Sequence, residues 1–338
     1  MVFSINEIVQ MRLLLTTYHQ AFLAPGGGET EFVQLADYLN ENGVRADFYG
    51  YTSRALRQYD AVVHFSAFGG GERLLHSIRE AGKPIVLLPN YNFFNAAPIS
   101  SQVVQEHLDL ADLVVIRTHV ESVLCKAAFD VDDRKLAIVP PGVNPSFSKL
   151  VPDDLFRSAY GLERFVLWVG ALEEAKQQIE AIEALNDLEM PLIFVGGYRD
   201  RSYFEKCKAV ASNHVRFLPY LQPGSDIIRS AMQSCDVYLE LGIDFPGHSA
   251  IEAGLAGAPL VLHEHPWSRE VLGDEVTYIA ADNSAIRDGV SRALHDNRRG
   301  LLVNRIKREF VQPESTARLI EQIELLLERW PGRSIAAD

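Results

Sequence analysis

Short runs rich in Val, Ile and Leu alternate with helix-period stretches along almost the whole chain, and this alternation narrows the fold more than any other feature. An apolar run, a helical stretch and another apolar run make a βαβ unit. Its strands must be parallel and need helices to cover both faces. The pattern predicts strands over 12–18, 46–51, 59–66, 84–88, 113–117 and 136–139, with helices over 29–43, 72–81, 102–110 and 120–129. At Pro140-Pro-Gly-Val-Asn-Pro145 the alternation stops, as proline and glycine punctuate a chain. It then restarts with strands over 165–170, 191–196, 215–218, 236–241, 259–263 and 276–279. The helices are expected over 175–185, 203–212, 226–234, 249–256, 285–295 and 316–328. The 338 residues suffice for two domains of ordinary size. The reading is therefore two doubly wound α/β domains, 1–146 and 147–338, with the last helix able to pack back on the first. In such sheets ligands gather at the carboxyl ends of the strands.

Composition excludes several classes of function. The chain has 32 Lys and Arg against 45 Asp and Glu, a net charge of −13. A general nucleic-acid binder needs clustered basic residues, so no nucleic-acid partner is expected. Cys125, Cys207 and Cys235 have neither metal-ligand spacing nor an even count, and read as small buried hydrophobes in a reducing compartment. No run is apolar enough to span a bilayer, and the first residues lack the basic-then-apolar order of a signal peptide. The expected location is cytoplasmic. Met11-Arg-Leu-Leu-Leu-Thr-Thr-Tyr18 reads as a natural start running into the first strand, with 1–10 an extension.

The stretch Asp244-Phe-Pro-Gly-His-Ser-Ala-Ile-Glu252 carries most of the chemistry. It sets two carboxylates eight positions apart, around a Pro-Gly turn that opens into a helix. The turn and the helix start offer free N–H groups and a positive dipole end to a diphosphate. The carboxylates accept from hydroxyls. Glu252 stands among Ile251, Ala253 and Leu255, where an unpaired carboxylate is costly. The bland alternatives are a helix-start acid for Glu252, a turn Asp for Asp244 and an N-cap for Ser249.

This stretch resembles the Glu-x7-Glu motif of retaining family-4 glycosyltransferases, which have the GT-B fold. Other landmarks follow in the family's order. They are the glycine loop Pro25-Gly-Gly-Gly28, Ala111-Asp-Leu-Val-Val115, Val139-Pro-Pro-Gly-Val143, Val169-Gly-Ala-Leu172 with Lys176, Phe194-Val-Gly196 and Val215-Arg-Phe-Leu218. Cys235-Asp-Val-Tyr238, Ala256-Gly-Ala-Pro259 and Glu270-Val-Leu-Gly-Asp274 complete the set, and the resemblance covers roughly 11–330. It implies two Rossmann-like domains facing across a cleft, the first on the acceptor side and the second binding the nucleotide sugar.

By that resemblance Glu252 holds ribose hydroxyls, Asp244 holds the transferred sugar, and Lys176 neutralises the diphosphate. Gly170 and Ala171 border the donor, as do Gly247, His248 and Ser249 through their amides. Gly26, Gly27 and Gly28 let the backbone approach the donor phosphates or the acceptor. The chain departs from the family at several places, among them His248, which replaces a residue usually apolar there and could contact a sugar hydroxyl or a phosphate. Asp244 replaces a Glu, Ala171 replaces an Arg, and Pro89 and Asn90 stand where relatives carry a His. Arg199 or Arg201 is available as a substitute cation, and a solvated surface arginine is the plain reading of each. Asn90, Tyr91 and Phe93 fall on the acceptor side. Tyr91, Phe93 and Phe94 have three readings: stacking on a sugar, dipping into a membrane interface, or filling the core. His64, within a strand, reads as structural, and Glu29 and Glu31 as helix-start acids.

The implied reaction moves a sugar from a nucleotide-diphosphate donor to an acceptor hydroxyl with retention, in glycan or glycoconjugate biosynthesis. It needs no cofactor and no obligatory metal. The acceptor is a glycan, a lipid-linked or a small molecule, and a lipid-linked one would bring peripheral contact with the inner membrane face. The alternative is a degenerate, inactive GT-B subunit that binds a nucleotide sugar or a protein partner. A third reading is an epimerase or hydrolase acting on the donor alone.

Overall fold

The computed structural model describes residues 10–23, 27–92, 100–152, 154–242, 247–295 and 298–331. Its first half runs β1 (Arg12–Thr17), α1 (Gly27–Glu41), β2 (Arg45–Phe48), β3 (Ala61–Phe65), α2 (Glu72–Glu80), β4 (Ile85–Leu88), α3 (Ser101–Leu110), β5 (Leu113–Ile116), α4 (His119–Ala128) and β6 (Leu136–Ile138). The second half runs α5 (Asp154–Tyr160), β7 (Val166–Val169), α6 (Gln178–Leu185), β8 (Leu192–Val195), α7 (Arg201–Val210), β9 (Val215–Leu218), α8 (Asp226–Ser234) and β10 (Val237–Glu240). It continues with α9 (His248–Leu255), β11 (Leu260–His263), α10 (Pro266–Leu272), β12 (Thr277–Ile279), α11 (Asn283–Ala293), α12 (Arg299–Glu309) and α13 (Glu314–Arg329). The strands form two six-stranded sheets, and every pairing is parallel. One compact unit holds the residues up to Arg117, Glu121–Val139 and those from Pro313 on; the other holds Thr118–Val120 and Pro140–Gln312.

The first sheet has the order β2-β1-β3-β4-β5-β6. Alternation along each strand sends side chains to opposite faces. Leu13, Leu15, Val63 and Val86 pack with Phe32, Ala36 and Leu39 of α1 and with Leu319, Ile323 and Leu327 of α13. On the other face, Leu14, Val62 and Ile85 meet Leu75 and Ile78 of α2, while Leu87 and Val114 meet Val104 and Leu108 of α3. The chain leaves β1 for β2 on one side and reaches β3 on the other, so the switch point lies at the carboxyl ends of β1 and β3. His64 of β3 is a core histidine. Its Nδ1 lies 2.9 Å from Thr16 Oγ1, and burial, with His107 beside it, pushes its pKa down to about 3.

The second sheet has the order β12-β11-β10-β7-β8-β9, with its switch point between β7 and β10. Leu167, Ile193, Tyr238 and Leu260 pack on one face with α5, α8, α9 and α12. Val166, Trp168, Phe194 and Leu239 pack on the other with α6, α7 and α11. Three helices go beyond the pattern read from sequence. α5 and α10 are only seven residues long, and α12 buries only Leu302 and Ile306. Those two side chains close on Gly254 of α9, where a Cβ would stand 2.7 Å from Ile306 Cδ1. All three cysteines are buried, and burial pushes the thiols up to about 12, 11 and 12 for Cys125, Cys207 and Cys235.

Ile323 of α13 is 0% exposed within the first unit's core. Ile323→Ala is expected to destabilise that unit by about 2–4 kcal/mol, read as a lower urea midpoint of its transition.

Candidate active site

The carboxyl ends of β7 and β8 are held together by backbone. Gly170 N–H donates to Val195 O at 3.0 Å, Leu172 N–H to Gly197 O at 2.9 Å, and Arg199 N–H to Leu172 O at 3.2 Å. Gly196 has φ +152, and a Cβ there would lie 2.2 Å from Gly170 O, so only glycine lets these loops approach. The fully buried Gln178 clamps the β7 loop from below. Its amide Nε2 donates to Ala171 O at 3.0 Å, and its Oε1 faces Glu173 N at 3.4 Å.

Lys176 sits on a one-turn 3-10 segment (Glu174–Lys176), not on the α-helix expected over 175–185. The cause is Gln177, whose left-handed backbone (φ 58, ψ 39) breaks the turn before α6 begins. Lys176 Nζ lies 3.6 Å from Glu173 Oε1, and Arg199 Nη1 lies 3.2 Å from Glu173 Oε2. One carboxylate thus brackets two cations beside Gly170 and Ala171. A Cβ on Gly170 would stand 3.6 Å from Lys176 Nζ.

Helix α9 follows β10 at the same edge of the sheet. Gly247 precedes its first residue, and Gly247, His248 and Ser249 are all half-buried. Beneath them Glu240 ends β10 only 6% exposed, and Tyr238 donates its hydroxyl to Glu240 Oε2 at 3.1 Å. Ser249 hydrogen-bonds to the same tyrosine oxygen. A Cβ on Gly247 would lie 3.6 Å from Glu240 Oε1, so a carboxylate already stands near the positive end of α9. Glu252, one turn into α9, is half-buried, and desolvation pushes its carboxyl up to about 8. A carboxyl in that state gains most from a ligand that brings hydroxyl donors to it. Asp244 lies outside the described residues.

At the carboxyl edge of the first sheet, Gly27 is exposed and Gly28 packs close to Asn90, whose Nδ2 would be 2.8 Å from a Cβ on Gly28. Asn90 has φ 43 and accepts at Oδ1 from Arg117 Nη2 at 3.0 Å. Arg117 also pairs with Glu31 Oε2 at 3.1 Å, so Glu31 is tied across the sheet rather than serving only as a helix-start acid. Glu29 accepts from the Tyr18 hydroxyl. The ring of Tyr91 is 6% exposed and packs edge-on against Phe129 at 5.9 Å. Of its three readings, core filling is the one its ring fulfils. Gly26 and Phe93 lie outside the described residues.

Sequence reasoning passed over Tyr238, Glu240, Gln178 and Arg117. Glu240 and Arg117 had a legible signal, a charge set at the end of an apolar strand run. Gln178 had none. Among the described residues no three His, Cys, Asp or Glu side chains gather as a metal site, and no helix is long and apolar enough to cross a membrane.

The two parallel six-stranded sheets with their flanking helices match GT-B glycosyltransferase structures. Sucrose-phosphate synthase from Thermosynechococcus elongatus superposes with TM-score 0.79 at 14% identity, covering 94% of this chain and all (100%) of the other. HepE from Anabaena, in complex with UDP and glucose, superposes with TM-score 0.75 at 16% identity, covering 93% of this chain and 100% of HepE. A glycosyltransferase from Rickettsia africae gives 0.75 at 12% identity, over 95% of this chain and 100% of that one. No curated protein matches the chain by sequence. Residues 157–309 match the family model of the glycosyl transferases group 1. The matched stretch contains Lys176, Arg199, Glu240, Ser249 and Glu252, together with the loops that position them.

The raised carboxyl of Glu252 predicts that the stability of the second unit depends on pH. Its carboxyl is raised from 4.5 to about 8, so between those values the folded state holds a proton that the unfolded state has lost. Stability therefore falls as pH rises through this window. Glu252→Gln removes the effect. The Tm of the variant is expected to equal that of the wild type near pH 4.5 and to exceed it by several degrees near pH 8, measured by calorimetry across the range.

Proposed function

We propose that this chain is a retaining family-4 glycosyltransferase that moves a sugar from a nucleotide-diphosphate sugar to an acceptor hydroxyl, in glycan or glycoconjugate biosynthesis. The observation that carries the reading is Glu252. It is a half-buried carboxyl held in a desolvated place on α9, inside the matched stretch and at the edge where ligands of parallel sheets bind. A strongly perturbed carboxyl at such an edge marks a functional-site candidate, and the hydroxyls of a ribose would fit it. Lys176 and the amides of Gly247, His248 and Ser249 would take the charge of the leaving diphosphate, and Gly170 and Ala171 would border it. Asp244 would hold the transferred sugar. Gly26, Gly27 and Gly28 would let the backbone approach the donor, and Asn90, Tyr91 and Phe93 would serve the acceptor side.

In this scheme the acceptor hydroxyl attacks the face of the anomeric carbon that the diphosphate leaves. A donor phosphate oxygen takes its proton, so the protein's part is positioning and charge stabilisation. The scheme calls on no metal or cofactor. The complexes of HepE with UDP and with UDP-glucose make UDP the first nucleotide to try. A cytoplasmic place fits three buried thiols, and a lipid-linked acceptor would bring the protein to a membrane face. A second reading, an inactive subunit that binds a nucleotide sugar or a protein, draws on Ala171.

Binding of UDP-, GDP-, ADP-, CMP- and TDP-sugars by calorimetry is the direct test. One class is expected to bind, and Glu252→Ala to abolish that binding. Lys176→Ala and Glu252→Ala should each lower transfer at least tenfold, about 1.4 kcal/mol, with circular dichroism unchanged. Wild-type rates in both would sink the assignment. Treatment with EDTA is expected to leave the rate as it is, and a loss restored by a divalent cation would overturn the metal-free scheme.

A further inference from the structure

The loop after β7 resembles a Gly-Arg-Leu run, yet the residue after Gly170 is Ala171, so the arginine that the resemblance implies beside Lys176 is missing from this loop. The neighbouring loop supplies a guanidinium at the same edge. Arg199 N–H donates to Leu172 O at 3.2 Å, and Leu172 and Tyr198 form a parallel bridge. The backbone of Arg199 therefore lies one strand spacing, about 5 Å, from that of the residue next to Ala171. Its side chain turns back to the same carboxylate as Lys176, with Arg199 Nη1 3.2 Å from Glu173 Oε2 and Lys176 Nζ 3.6 Å from Glu173 Oε1.

We infer that Arg199 is the second cation of the donor diphosphate site, moved from the β7 loop to the β8 loop; this rests on the nucleotide-sugar reading above. The Arg199 side chain is 63% exposed, so its pairing with Glu173 is held in high dielectric and is weak. A diphosphate offers bidentate, charge-assisted hydrogen bonds to a guanidinium, which are stronger. Glu173 keeps both cations at the edge of β7 while the site is empty, and the phosphates take them over. Arg201 opens α7 at the exposed surface and has no part in this trio.

Calorimetric titration of the full chain with UDP, GDP and their monophosphates tests the inference. The wild type is expected to bind one diphosphate more tightly than its monophosphate. In Arg199→Ala the diphosphate should weaken at least tenfold and the monophosphate far less, so that the preference collapses. Arg201→Ala should behave as wild type. The double variant Ala171→Arg with Arg199→Ala should regain the preference. The inference is overturned if Arg199→Ala binds as wild type, if it loses both nucleotides alike, or if Ala171→Arg brings no rescue. A wild type that takes up no nucleotide at all would instead bring down the nucleotide-sugar reading itself, and this inference with it.

Discussion

The contact of two glycines at the end of the second sheet sets the rest of the site. Gly196 lies so close to Gly170 O that no side chain fits between them. That closeness lets the β7 and β8 loops exchange backbone hydrogen bonds beyond the last residues of their strands. Ala171, Glu173, Lys176 and Arg199 all take their places from this extension. A parallel sheet already brings every carboxyl end to one edge. The glycine contact adds a second layer of order to that edge, and Gln178 fixes it from the core side.

The polar groups under this edge are of two kinds. Some are satisfied within the protein: Tyr238 donates to Glu240, Ser249 bonds to Tyr238, and Gln178 spans the β7 loop. Glu252 stands apart from these by its titration: it is half-buried, and desolvation pushes its carboxyl up to about 8. His64 in the first unit shows the contrast. It too is buried with a shifted pKa, but it stays neutral and bonds to Thr16 inside the core, as a structural histidine does.

Most of the architecture was legible because burial on both faces makes parallel strands read as unbroken apolar runs. All twelve strands fall within the ranges expected or within a residue or two of them. The short helices α5 and α10 escaped because seven residues barely show a period, and α12 because its apolar stripe is only Leu302 and Ile306. Gln177 was illegible for another reason. A left-handed glutamine has no sequence signature, and it moved Lys176 off the helix. Glycine, lysine and glutamate motifs marked the donor edge, since their chemistry needs those residue types. The supporting side chains were harder to see, because Gln178 and Tyr238 act through three-dimensional neighbours that no spacing reveals. Tyr91 illustrates the limit of an aromatic in a loop, whose ring direction is decided by packing.

The return of α13 to the first sheet has a consequence for biogenesis. Leu319, Ile323 and Leu327 complete the core that Leu13 and Leu15 begin. A domain emerging from the ribosome ordinarily closes its core before the next one is made. Here the first sheet waits, with one apolar face incompletely covered, while the whole of the second unit is synthesised. The second unit, Thr118–Val120 and Pro140–Gln312, is fully synthesised before α13 appears, so it can finish first and the first sheet is sealed only afterwards.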